Sequence, residues 1–176
     1  MQRKAIVLLS GGGYSSLCLY LARSQGYLPY ALSLDIPKRH FQLDSAQQFA
    51  RDVGVAEHQV IAMNENSLSD SKALTYYSSL LSFAVNWAQE LSAQDIFIGL
   101  HPSAEHTLEY MVEWLQSYQE LINLSATTAI RIQTPLLFMS DKKREQTAEQ
   151  FNLKLPEPVS KLKSKKKKFI QRIFSE

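Results

Sequence analysis

The residues best suited to chemistry stand together near the start of the chain, in Ser10-Gly11-Gly12-Gly13-Tyr14-Ser15-Ser16. They join a continuous apolar run, Ala5 to Leu9, to an apolar helical segment. Glycines let a backbone turn tightly and approach an anion, and the unpaired amides of a helix start carry the positive end of its dipole. In chemical terms that is a phosphate cradle. It is not a Walker P-loop, which ends in Lys and Ser or Thr, nor a dinucleotide fingerprint, whose third glycine is missing here. A glycine-rich turn that holds no ligand is the plainer reading of the same residues, because short glycine runs recur without function.

Other reactive residues carry less. His101 and His106 flank Glu105, but histidines five apart do not share a helical face and no further ligand set accompanies them, so no metal site is expected. Cys18, the sole cysteine, sits in an apolar helix and reads as core. Tyr76, Tyr77 and Phe83 fall at helical spacing, where core packing is the default.

The elements that must position the loop follow from hydrophobic period. Strands are expected at Ala5 to Leu9, Tyr30 to Ile36, His58 to Ala62, Asp95 to Gly99 and Ala129 to Gln133. Between them fall helices over Ser15 to Ser24, Asp44 to Val53, Leu74 to Leu91 and Glu105 to Leu124, with a last one over Asp141 to Phe151. Asp44 and Ser140 are placed to cap their helices, and Gly26 and Gly54 to end theirs. Strands separated by helices need crossovers, so they pair in parallel. The expected fold is α/β, a doubly wound, mostly parallel five-stranded sheet of Rossmann-like type, over residues 1–155, with a basic tail over 156–176.

Composition bounds the rest. The chain has 176 residues with 45% hydrophobic and 20% charged side chains, which suits one compact domain with a real core. Residues 161–176 hold seven Lys or Arg against one Glu, leaving 12 basic and 16 acidic side chains in the body. A lysine block from Lys161 to Lys168 invites weak nucleic-acid contact through counterion release, or is a solvated terminal segment. No apolar stretch approaches the roughly 20 residues of a membrane span, and with one cysteine the expected compartment is the cytoplasm.

From about Lys4 to Ser140 the sequence resembles the PP-loop ATP pyrophosphatases, and among them the 7-cyano-7-deazaguanine synthase family of queuosine biosynthesis, QueC or ExsB. The resemblance is carried by Ala5 to Gly12, by Gln25-Gly26-Tyr27, by Tyr30 to Asp35, and by Lys38-Arg39-His40 at the place of a QRH element. Trp87-Ala88, Asp95 to Gly99 and Thr134-Pro135-Leu136 continue it in the same order. Family members join a deazaguanine carboxylate to ammonia, with ATP activating the carboxylate as an adenylate and pyrophosphate leaving. The resemblance thus implies an adenine nucleotide alpha hydrolase-like fold, ATP and magnesium as cofactors, a deazaguanine substrate and a homodimer. It implies that the amides of Gly11, Gly12 and Gly13 hold phosphates together with the hydroxyls of Ser10, Ser15 and the adjacent Ser16. Arg39 would offset phosphate charge at the mouth of the site, and His40 would bind substrate or pass a proton. A surface histidine is the alternative for His40.

The departures cluster at the chemistry. The acidic position of the S-G-G-x-D-S motif is Tyr14, and a phenol is a poor ligand for magnesium. The V-P-A-R-N pattern at the start of the third helix reads Ala73-Leu74-Thr75-Tyr76-Tyr77. Asp141 replaces the lysine of an S-K element, and the four cysteines of the family's zinc site are missing, so no zinc is expected. Two readings stay open: an ATP-dependent carbon–nitrogen ligase releasing AMP and pyrophosphate, or a relative without catalysis that acts as a nucleotide-binding or protein-partner module.

Overall fold

The computed structural model describes residues 2–36, 40–63, 73–102 and 107–156, the side chains of 40, 41 and 73–76 excepted. The elements alternate without interruption. They run β1 (Lys4–Leu8), α1 (Gly13–Ser24), β2 (Leu28–Asp35), α2 (His40–Val53), β3 (His58–Ala62), α3 (Ala73–Leu91), β4 (Asp95–Ile98), α4 (Leu108–Ser125), β5 (Arg131–Gln133) and α5 (Asp141–Gln150). All neighbouring strands pair in parallel, in the order β3-β2-β1-β4-β5. The expected doubly wound sheet is therefore present.

Burial on both faces explains why the strands are apolar without alternation. Ile6, Leu8, Leu32, Ile96 and Ile98 pack with Leu80, Leu81, Ala84 and Met111 of α3 and α4. Ala5, Val7, Leu9, Ala31 and Phe97 face Cys18, Leu19, Ala22, Ala46 and Ala50 of α1 and α2. The Cys18 thiol is fully buried, which pushes its pKa up and leaves it a packing group. A smaller cluster of Leu17, Leu136 and Ala148 seats α5 against α1.

Element ends depart from the sequence pattern in instructive ways. The first helix begins at Gly13 rather than Ser15, because the glycine loop itself winds into the first turn. The second begins at His40, so Asp44 lies inside it and caps nothing. The fourth begins at Leu108, where the Thr107 hydroxyl accepts from the Tyr110 amide. Ser140 does cap α5, accepting from the Lys143 amide. Strand β2 starts earlier than expected and includes Pro29. Its odd-numbered residues donate toward β3, as Ala31 does to the Glu57 carbonyl, and the β3 register begins only at Ala31. The missing proline N–H thus falls beyond the end of β3 and costs no ladder bond. Phe83 is 43% exposed, so the expected core role fails for it: its position on α3 points outward.

Polar groups at the amino ends of the strands are structural. Buried Asp95 accepts from Arg131 Nε at 3.1 Å, from Gln133 Nε2 at 2.8 Å and from the Tyr27 hydroxyl at 3.2 Å. This cluster pins β5 to β4 at the edge opposite the glycine loop. Among the described residues no helix is long and apolar enough to cross a membrane.

Candidate functional site

The strand order reverses between β1 and β4, since the chain builds outward from β1 through β2 to β3 and then crosses to β4. Ligands of open α/β sheets bind at such a point, outside the carboxyl ends of the strands. The β1–α1 loop and the residues after β4 both emerge there. A cavity of about 120 Å³ lies between them, lined by Ser10, Gly12, Gly13, Tyr14 and Ser15 on one side and by Gly99 and His101 on the other. Ligand pockets for whole small molecules run to ~300 Å³ and above, so this space suits phosphoryl groups more than an entire nucleotide.

Close packing fixes the loop. Gly11 has φ +79°, and a methyl group on it would stand 1.8 Å from the Gln42 carbonyl oxygen of α2. A methyl on Gly13 would meet the Lys154 carbonyl at 2.7 Å, where the chain after α5 returns across the loop. Gly12 is the N-cap of α1 and brings no side chain to the orphan amides that follow it. The helix start therefore keeps its first-turn donors available to an anion.

The serines are arranged differently from the expectation. Ser10 Oγ and Ser15 Oγ are 3.0 Å apart, and Ser15 Oγ donates to the Gly12 carbonyl at 2.9 Å. Ser16 is fully buried and donates to the same carbonyl at 3.0 Å. Its hydroxyl belongs to the turn and not to the cavity. Arg39 lies outside the described residues. His40 opens α2, at the carboxyl side of β2, with its ring outside the description. The tail residues Lys161 to Lys168 and His106 lie outside the described residues too.

Three site residues come from tertiary contact. The Tyr14 ring stacks on His101, with centroids 3.7 Å apart and planes 25° from parallel. Arg144 of α5 hydrogen-bonds the Tyr14 hydroxyl and acts on both rings through its charge. Burial pushes the Tyr14 hydroxyl above its ordinary value, with the Arg144 charge opposing and Asp141 and Glu145 adding. Burial likewise pushes His101 down, Arg144 adding, while Asp141 and a hydrogen bond to the Gly99 backbone oppose. At neutral pH the stack is thus an uncharged phenol on an uncharged imidazole. Tyr77 also lines the cavity, a role its helical spacing does not reveal.

Neither His101 nor Arg144 is marked as a site residue by its neighbours in sequence. Arg144, Thr147 and Ala148 are all buried at spacing i, i+3, i+4, but only Ala148 is apolar, so hydrophobic period does not mark the arginine as inward-facing. The magnesium that the resemblance implies does not fit these donors. Among the described residues the cavity wall offers hydroxyls, backbone and an imidazole but no carboxylate, and magnesium is held through carboxylates together with phosphates.

The histidines give the fold a pH dependence. His58 is also pushed down by burial, with Arg51 adding, and its Nε2 lies 2.8 Å from Ser33 Oγ. A histidine whose folded value lies below its ordinary one stabilises fully above about pH 6.5, and that contribution disappears as pH falls through the lowered folded value. Thermal midpoints are expected to hold above neutrality and to decline on acidification. His101→Asn is expected to make the decline shallower; curves parallel to wild type would contradict the burial of this ring.

Comparison with known proteins matches this architecture. The profile of the family described as "Queuosine biosynthesis protein QueC" matches residues 4–80 and 77–169. A 7-cyano-7-deazaguanine synthase of Pseudomonas fluorescens (strain Pf0-1) is 33% identical over 167 residues, covering 79% of this chain and 72% of the relative. Among solved structures, a predicted subunit of tRNA methyltransferase from Methanocaldococcus jannaschii superposes with TM-score 0.58 at 20% identity, over 84% of this chain and 74% of that one. A 4-thiouridine synthetase solved with RNA and bound ATP gives TM-score 0.58 at 20% identity, over 84% of this chain and 40% of that one. The structural likenesses bear on the fold, and the profile and the sequence relative decide the lineage: this chain belongs to the QueC family of queuosine biosynthesis proteins.

Proposed function

We propose that this protein binds an adenine nucleotide by its phosphates at the β1–α1 loop. The observation that carries the reading is the uncapped start of α1, set beside a cavity at the point where the strand order reverses. Gly11 and Gly13 are packed too closely for side chains, so the loop presents backbone donors in a fixed arrangement. Pre-set donors are what phosphate binding requires, because no reorganisation is then spent on forming the site. One structural neighbour was solved with bound ATP, and this supports adenine nucleotide as the ligand class.

Within the family's chemistry, the nucleotide would activate a deazaguanine carboxylate for attack by ammonia, releasing pyrophosphate and AMP. A second reading is favoured by one observation. Tyr14 stands where the motif has its acid and is stacked against His101, so the group that would handle the metal-bound triphosphate is replaced by a neutral ring. On that reading the protein binds nucleotide without ligase turnover.

Calorimetric titration of the full chain with ATP and AMP tests the binding. Saturable heat at or below millimolar nucleotide is expected; silence from folded protein refutes it. Pyrophosphate release from ATP, 7-carboxy-7-deazaguanine and ammonia separates the readings, since sustained release establishes the ligase and its absence alongside tight binding establishes the second.

A further inference from the structure

We propose that the outward face of α4 is the docking surface for this chain's own basic terminal segment, residues 161–176, which lie outside the described residues. The inference is independent of the nucleotide reading, because α4 lines no part of the cavity.

Helix α4 turns Met111, Leu115, Tyr118 and Ile122 to the core. Away from the core, Trp114, Leu121 and Leu124 follow one another at spacings of seven and three, a single stripe along the helix. Trp114 leans on Tyr118, with ring centroids 5.7 Å apart, and so joins the stripe to the core. Leu121 is 55% exposed and Leu124 87%, and neither packs in any of the apolar clusters of the described residues. One exposed leucine needs no explanation. Here two adjoin, and a second stripe of Glu109, Glu113 and Glu120 runs beside them. The helix contains no Lys, Arg or His, so the negative end of its dipole, where both leucines lie, has no basic side chain in its last turn. A face that is apolar and acidic together selects an occupant that is apolar and basic.

The terminal segment has that character. Phe169, Ile170, Ile173 and Phe174 are spaced i, i+1, i+4, i+5, one side of a helix, with Lys165 to Lys168 before them and Arg172 among them. A second copy of α4 is a poorer occupant, since it would set three glutamates against three. The order of groups agrees as well. The described chain ends at Pro156 on the cavity wall, by the carboxyl ends of the strands, and α4 begins on that side after β4. A segment running down α4 from there passes the lysines along Glu113 and Glu120 before its aromatic end reaches Leu121 and Leu124. The 12 residues 157–168 span up to about 40 Å when extended, against ~27 Å for the whole of α4, so the last turn is within reach. The tether makes the contact intramolecular and so favours it at any protein concentration.

Hydrogen exchange of the full chain, read by mass spectrometry, tests the docking. Amides of residues 169–174 are expected to exchange at least about tenfold more slowly than in the free peptide 161–176. Leu124→Asp changes an exposed position and is checked for folding by circular dichroism; it is expected to return those amides to the peptide rate. Glu113→Lys combined with Glu120→Lys is expected to speed them in the same direction. Ile173→Asp, which leaves the described residues untouched, is the companion variant should the α4 changes disturb folding, and it is expected to speed the amides of Leu121 to Ser125 at least about threefold. Exchange of 169–174 at the peptide rate in wild type overturns the inference. So does protection that persists in folded L124D, or α4 exchange unmoved by I173D, since the segment would then be seated elsewhere. Protection that grows with protein concentration also overturns it, by placing the contact between copies.

Discussion

Gly11→Ala is expected to lower stability by about 2–5 kcal/mol, from roughly 1–2 for a left-handed backbone and roughly 1–3 for overpacking, and to abolish nucleotide binding. Both contributions are visible at one residue. Its φ is +79°, and the added methyl would fall 1.8 Å from the Gln42 carbonyl, a backbone atom that cannot swing aside as a side-chain end can. Relief requires the start of α2 to move off the loop, and the loop then loses the support that fixes its turn. Two internal controls separate the contributions. Gly26 and Gly54 also have positive φ, +85° and +69°, but nothing stands within 4 Å of a methyl on either. Alanine there is expected to cost only the conformational part, about 1–2 kcal/mol, and to leave binding intact. Gly12 has φ −79°, and its methyl would meet only Ser10 Oγ at 3.5 Å. Gly12→Ala is expected to stay within about 0.5 kcal/mol of wild type. Urea denaturation with nucleotide titration of the four variants checks the order; equal losses at Gly11 and Gly26 would show that the contact with α2 is unimportant.

These contrasts mark what could be read from the sequence. Strand and helix identity was legible because burial on both faces of a parallel sheet leaves continuous apolar runs such as Ala5 to Leu9, while helices keep their own period. The glycine loop was legible as a turn that meets an anion. Which of its glycines matters was not, because that depends on Gln42 and Lys154, residues distant in sequence that press on Gly11 and Gly13. The start of α2 is not legible in the sequence, because Asp44 is a strong capping residue, yet residues 40–43 contain no helix breaker and the helix extends through them to His40. Ser16 illustrates a subtler failure: its place in the motif suggested a ligand contact, but a serine in the first turn can return its proton to the carbonyl four residues back, here that of Gly12. The Tyr14, His101 and Arg144 cluster draws on α1, the segment after β4 and α5, and no local pattern links three such elements.

Gly99→Ala tests whether that cluster is held in register by the sheet. A methyl on Gly99 would lie 2.8 Å from the Tyr14 carbonyl oxygen and 2.9 Å from the Ser15 amide nitrogen. Both are backbone atoms of the first turn of α1, so β4 and α1 approach to a separation that only glycine permits. Gly99 has no positive φ to satisfy, so the whole effect is steric. Alanine is expected to cost about 1–3 kcal/mol and to push the helix start away from the end of β4. The consequence for function is larger than for stability. His101 follows Gly99 by two residues and stacks on Tyr14, so separating these backbones breaks the stack and widens the cavity that the loop amides face. Nucleotide affinity is therefore expected to fall at least about tenfold, the ~1.4 kcal/mol scale of one displaced interaction. Loss of the His101 burial should also raise its titration toward the ordinary histidine value, which proton NMR of the imidazole would follow. An alanine variant that binds as wild type, with its His101 titration unmoved, would show that α1 can shift without disturbing the site, and the tight approach at Gly99 would then be packing alone.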